Sequence, residues 1–231
     1  MSAHDPGAGR RRLVLLRHGR TSWNAGGRFQ GQLDIELDDL GSAQADAVAP
    51  VLAAERPVAL LSSDSLRASA TAEPLAAAAG LALRTDPRLR EIDLGAWSGL
   101  SREEAQARFP EEFDAWVRGE DVARGGGETY LDVAARATGA IAEALPAVGP
   151  GQVLVAVTHG GTARATIGSL LGLAPATWWR LAPLGNTCWS TLVEASSGWR
   201  LAEHGARVRE LPGVPVPAGP PPATGDERAV L

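Results

Sequence analysis

The chain has 231 residues and no lysine: all 22 of its basic residues are arginine. That absence excludes a P-loop lysine and a Schiff-base lysine, and with them the kinase-like and aldolase-like readings. A lone cysteine, Cys188, cannot build a disulfide scaffold. The chain contains no HExxH, no CxxC and no recognisable cluster of carboxylate ligands, so neither a metal nor another cofactor is expected. No apolar run approaches the ~20 residues of a membrane span. The run after Arg10-Arg11-Arg12 is only four residues long before Arg17, too short for a signal sequence. A cytoplasmic protein without a membrane partner is the expectation. The net charge of −5 leaves no basic footprint for nucleic acid. Positive potential, if there is any, must be local.

What is present concentrates in four pieces. Leu13-Val14-Leu15-Leu16 runs into Arg17-His18-Gly19, with Thr21 and Asn24 close behind. A histidine at the mouth of a strand, next to an arginine, can act as a nucleophile toward an anion that the arginine holds. Taken alone, the tripeptide also fits an ordinary strand-end histidine. Downstream, Val153–Thr158 runs straight into His159-Gly160-Gly161, so two buried parallel strands are expected to bring their carboxyl ends, each closed by His-Gly, to one sheet edge. The other histidines, His4 and His204, lack that setting. Between the two motifs, Leu60-Leu61 passes through a serine-rich turn into an alanine-rich helix, which places Arg67 in the first helical turn. There guanidinium and helix N-terminus would both attract a dianion, although an exposed arginine is the commoner outcome. Leu89-Arg90-Glu91-Ile92-Asp93 supplies the best-placed acid for protonating a leaving alkoxide.

These pieces, in this order, resemble the histidine phosphatase superfamily, also called phosphoglycerate mutase-like. The resemblance spans about Leu13 to Arg207 and takes in Arg28-Phe29-Gln30-Gly31-Gln32-Leu33-Asp34. It implies that His18 attacks phosphorus to form a phosphohistidine, which water then hydrolyses. Arg17, Arg67 and His159 would hold phosphoryl oxygens, Glu91 would be the general acid, and Thr21, Asn24, Gln30, Gly31 and Gly160 would bind phosphate or substrate. The partner implied is a small-molecule phosphate ester. Cofactor-dependent mutases of the family carry a lysine and an arginine pair in the segment covering the site; here Trp116-Val117-Arg118 holds no pair and lysine is absent. The general phosphatase branch, metal-independent, fits better; the glucosyl-3-phosphoglycerate phosphatase type shares the look of Asp132-Val133-Ala134-Ala135-Arg136 and Gly185-Asn186, and broad-specificity phosphatases share most of these letters. A mutase and a catalytically silent relative remain the alternatives, the latter disfavoured because Arg17, His18, Arg67, Glu91 and His159 are all present.

Strand and helix signals alternate, which predicts an α/β fold: a mostly parallel central sheet with helices on both faces, in three layers. Strands are expected near 13–17, 58–62, 82–85, 153–158, 188–194 and 199–203. Helices are expected near 40–54, 66–79, 101–108, 111–118, 128–145 and 161–172, with Pro50 and Pro74 kinking or ending two of them. One domain over 13–210 is expected, with a cap at about 99–128, between a leader (1–12) and a Pro/Gly-rich mobile tail (211–231). The cap charges, Arg102, Glu111, Asp114 and Arg124 among them, read mostly as solvated helix faces, and Gly125-Gly126-Gly127-Glu128 as a loop entering a helix with an acid in its first turn. Trp178-Trp179 reads as core or as a subunit contact rather than a ligand platform, which keeps a homodimer open.

Overall fold

The computed structural model describes residues 9–208; His4 with most of the expected leader, and the Pro/Gly-rich tail, lie outside the described residues. Six strands form one sheet: β1 (Arg12–Arg17), β2 (Ala59–Ser62), β3 (Leu83–Thr85), β4 (Val153–Thr158), β5 (Trp189–Ala195) and β6 (Gly198–Ala206). Their order is β3-β2-β4-β1-β5-β6, parallel through the first four and antiparallel where β5 joins β1 and β6 joins β5.

The central strands are apolar without alternation because both faces are covered. Leu13, Leu15, Leu154 and Ala156 point into a core that includes Ala137, Ala140, Ile141 and Ile167. Val14, Leu16, Val155 and Val157 point the other way, onto Val48, Leu52, Ala68 and Leu75. The first set of helical residues belongs to α6 (Tyr130–Ala144) and α7 (Gly160–Leu170), the second to α2 (Asp39–Ala53) and α3 (Leu66–Ala79); α1 (Ser22–Ala25) is a single turn. Complete burial of each such aliphatic side chain contributes about 1.5–3 kcal/mol, so this two-sided core carries most of the driving force for folding.

Local signals set the helix ends. Asp38 caps α2 by accepting from Gly41 N–H at 2.8 Å, and Gly80, left-handed at φ 65°, closes α3. The expected ends at the prolines do not occur: α2 runs on to Ala53 past Pro50, and α3 to Ala79 past Pro74. Pro50 lies one turn from its helix end, and the packing of Leu52 and Leu75, both almost wholly buried, offsets the missing backbone bonds. The acid in the first turn of α6 is Asp132, which forms a capping box with Thr129; Glu128 precedes the helix.

The segment 99–128 contains α4 (Arg102–Arg108) and α5 (Pro110–Val117). It is anchored by an aromatic cluster in which Trp97 packs on Phe29, Phe109, Phe113 and Trp116 with ring centroids 5.5–6.2 Å apart. Trp178 is buried, so the core reading holds for that residue, whereas Trp179 is partly exposed. No described helix is long and apolar enough to cross a membrane.

Candidate active site

Parallel pairing of β1 with β4 sets Arg17 opposite Thr158, so the next residue of each strand, His18 and His159, arrives at the same edge. His18 N–H donates to Thr158 O at 3.0 Å, and the imidazole rings meet edge-to-face with centroids 5.1 Å apart. On the other side of β4, β2 delivers the serine turn: His159 Nε2 lies 3.0 Å from Ser63 Oγ and 3.4 Å from Ser65 Oγ, while its Nδ1 has no hydrogen-bond partner among the described residues.

The His18 ring is held in one tautomer. Its Nδ1 lies 2.7 Å from Gly19 O, an oxygen that can only accept, so Nδ1 carries the proton and Nε2 keeps its lone pair. Burial, reinforced by the nearby Arg67 and Arg17 guanidinium groups, pushes the imidazole pKa well below the usual histidine value. Burial and the charge of Arg67, with smaller contributions from His18 and Arg17, act on His159 in the same direction. Both rings are therefore neutral at pH 7.

Arg17 and Arg67 are themselves buried. Desolvation lowers Arg17, partly offset by Glu91 and Cys188, and lowers Arg67 to about 10, offset by Glu91 and Asp34. Arg17 Nη1 donates to Leu184 O at 2.5 Å; Arg67 donates from Nη1 to Leu33 O at 2.7 Å and from Nη2 to Gly31 O at 2.8 Å. The two Nε–H groups have no hydrogen-bond partner among the described residues. The α3 N-terminus is less open than its sequence suggests, because Asp34 Oδ1 accepts Leu66 N–H at 3.0 Å.

Glu91 sits against the N-terminus of α7. Its carboxylate accepts backbone N–H groups from Gly161 (3.0 Å), Thr162 (3.0 Å) and Ile92 (2.9 Å), along with the Thr162 hydroxyl (3.2 Å). Glycine at 161 makes this fit possible, since a Cβ there would lie 2.6 Å from Glu91 Oε1. Arg136 on α6 braces the segment that carries the acid, donating to the carbonyls of Arg88, Arg90 and Glu91 at 2.7–3.0 Å. Glu128 is committed elsewhere. It accepts Asp93 N–H at 2.9 Å and two Arg136 N–H groups at 2.7 and 2.8 Å; burial works to raise its pKa, and these bonds outweigh burial and hold it below the ordinary glutamate value.

His18, Arg17, Arg67, Glu91, Asn24, Gln30 and Gly31 thus line one pocket together. His159 is not on its wall; it is wholly buried against the His18 ring. Thr21 and Gly160 are not on its wall: Thr21 is wholly buried and caps α1 through Asn24, also bonding Gln30 at 3.1 Å, while Gly160 opens α7 beside the Arg17 guanidinium. Sequence reasoning named Arg136, Asn186 and Arg124 but gave none of them a place at the site. Asn186 donates to His18 O and Asn24 Oδ1 at 3.1 and 3.2 Å. Arg124, expected on a solvated face, is wholly buried and lines the pocket. Among the described residues no three His, Cys, Asp or Glu side chains converge as metal ligands.

The sequence profile of the histidine phosphatase superfamily (branch 1) matches residues 13–207. The chain belongs to that superfamily. A glucosyl-3-phosphoglycerate phosphatase of Mycobacterium tuberculosis is 44% identical over 189 residues, covering 79% of this chain and 85% of the relative. The solved structure of a mycobacterial glucosyl-3-phosphoglycerate phosphatase in complex with VO3 superposes with a TM-score of 0.80 at 42% identity, covering 85% of this chain and 99% of the other. Phosphoserine phosphatase 1 of Hydrogenobacter thermophilus is 36% identical over 169 residues, 73% of this chain and 80% of that protein. The histidine phosphatase fold thus accounts for the three-layer architecture, and phosphoric monoester hydrolysis for the enzyme class.

Proposed function

We propose that this histidine phosphatase hydrolyses a small phosphate monoester through a phosphohistidine on His18, glucosyl-3-phosphoglycerate being the substrate that its relatives' names suggest. The reading is carried by the tautomer of His18: a neutral ring whose Nε2 lone pair stands in a pocket that Arg17, Arg67 and Glu91 also line.

In the first step Nε2 attacks phosphorus as the bond to the ester oxygen breaks, and the Glu91 carboxyl gives its proton to the departing alkoxide. Arg17 and Arg67 bear the charge spread over the equatorial phosphoryl oxygens, where positioned cations stabilise the transition state most. If His159 Nε2 accepts from the Ser63 hydroxyl 3.0 Å away, Nδ1 carries the ring proton and donates it to a phosphoryl oxygen. In the second step water attacks phosphorus, Glu91 takes its proton, the P–N bond breaks, and neutral His18 and inorganic phosphate are released.

The test is a panel of phosphate monoesters, p-nitrophenyl phosphate and glucosyl-3-phosphoglycerate among them, with His18→Ala as the paired variant. Turnover by the wild type and a loss of at least about 10³-fold in the variant are expected, because no neighbouring nitrogen can take over. Comparable turnover by both would remove His18 from the role.

A further inference from the structure

One charged group of the pocket is left over by this chemistry. Arg124 is 0% exposed, and none of its three guanidinium nitrogens has a hydrogen-bond partner among the described residues. The guanidinium carbon lies 5.5 Å from the Trp116 ring centre and 5.2 Å from that of Tyr130. Those rings support the cation with their faces, but they offer no acceptor to its in-plane N–H groups. A buried cation with unsatisfied donors is costly unless something else completes it.

The backbone keeps it in place. Gly125, at φ 58°, lies so close to the loop after Glu91 that a Cβ would come within 2.6–2.7 Å of Ala96 N, Leu94 O and Trp97 N. Gly125 N–H also donates to Glu112 Oε2 at 2.7 Å. The side chain is thereby fixed on the wall of the pocket that holds His18, with apolar Phe29, Ile92 and Leu94 completing that wall.

Charge counting says what completes it. Arg17 and Arg67 supply two positive charges, which a phosphate dianion balances, so neither is free for a second anion. One positive charge remains, on a planar fork with five donors, whose best complement is a planar monoanion. We propose that Arg124 is the specificity-determining residue of this pocket and holds a carboxylate on the non-transferred part of the substrate while the phosphate rests on Arg17, His18 and Arg67. The inference rests on the phosphatase reading above and narrows its substrate class to phosphate esters of hydroxy acids.

A matched pair of esters tests it: 3-phosphoglycerate and glycerol 3-phosphate share one carbon frame and differ in having a carboxylate or a hydroxymethyl group. The wild type is expected to favour 3-phosphoglycerate in kcat/KM by about 10- to 100-fold, the worth of a charge-assisted hydrogen-bonded pair. Arg124→Met, close in size, should erase that preference through a rise in KM for 3-phosphoglycerate while changing kcat/KM for glycerol 3-phosphate and p-nitrophenyl phosphate by less than about threefold. Arg124→Lys should restore part of the preference. Equal use of the two esters by the wild type overturns the assignment without any variant, as does an equal loss on all three substrates in a folded Arg124→Met. If the chain hydrolyses no ester, the phosphatase reading fails by itself, and calorimetric binding of the same pair to the wild type still decides whether the carboxylate is recognised.

Discussion

At the residue scale the chemistry depends on where protons are held. His18 and His159 are neutral in the folded protein and titrate near the ordinary pKa of ~6.5 when unfolded. Below that pH the unfolded chain binds more protons than the folded one, so the stability contributed by each ring is complete above pH ~6.5 and is lost as the pH falls, by up to about 1.4 kcal/mol per pH unit. Thermal unfolding between pH 7 and 5.5 should show a declining Tm, and His159→Asn should flatten the decline; parallel profiles would mean that the ring is not buried in its neutral form. In the proposed mechanism Glu91 answers to leaving-group chemistry. Glu91→Gln should slow phosphorylation by an alkyl phosphate by about 10²- to 10⁴-fold and by p-nitrophenyl phosphate far less, because nitrophenolate departs without a proton. Equal slowing in single-turnover measurements would leave Glu91 a positioning role alone. That His18, Glu91, Arg17 and Arg67 share one pocket was legible in sequence because each stands near the end of a strand or the start of a helix signal. Arg124 was not, since one arginine among many cap charges looks solvated until the glycines after it are seen packed on Leu94–Trp97.

At the element scale the sheet places the site and α7 stabilises it. Strands and helices were readable within about three residues, because runs buried on both faces and capping boxes are local signals. The one-turn α1 and the fate of the prolines were not, since tertiary packing decides both. Register across β1 and β4 brings His18 to His159, so damage to β1 should reach the whole molecule: Leu15→Ala, at a fully buried central position, is expected to cost about 2–5 kcal/mol in urea unfolding. Gly161→Ala tests α7 more narrowly. Its methyl would press on the Glu91 carboxylate, so kcat on alkyl phosphates should fall more than on p-nitrophenyl phosphate, while unfolding shifts little. A uniform loss on both substrates would show that α7 supports the pocket in general rather than the acid in particular.

At the scale of the whole molecule, an acidic chain gathers Arg17, Arg67 and Arg124 on the wall of one pocket, and in the mechanism proposed above Arg17 and Arg67 provide charge that many phosphatases take from a metal. EDTA is accordingly expected to leave the rate unchanged, and a loss of activity that a divalent ion restores would refute that division of labour. The account stands or falls on the covalent intermediate. Rapid quench of the enzyme with a 32P-labelled monoester, followed by peptide mapping, tests it most directly. The predicted result is one acid-labile, alkali-stable phosphate on the peptide that carries His18, formed and discharged at rates compatible with turnover. Steady hydrolysis with no labelled enzyme at any time point, or label on a different residue, would contradict it.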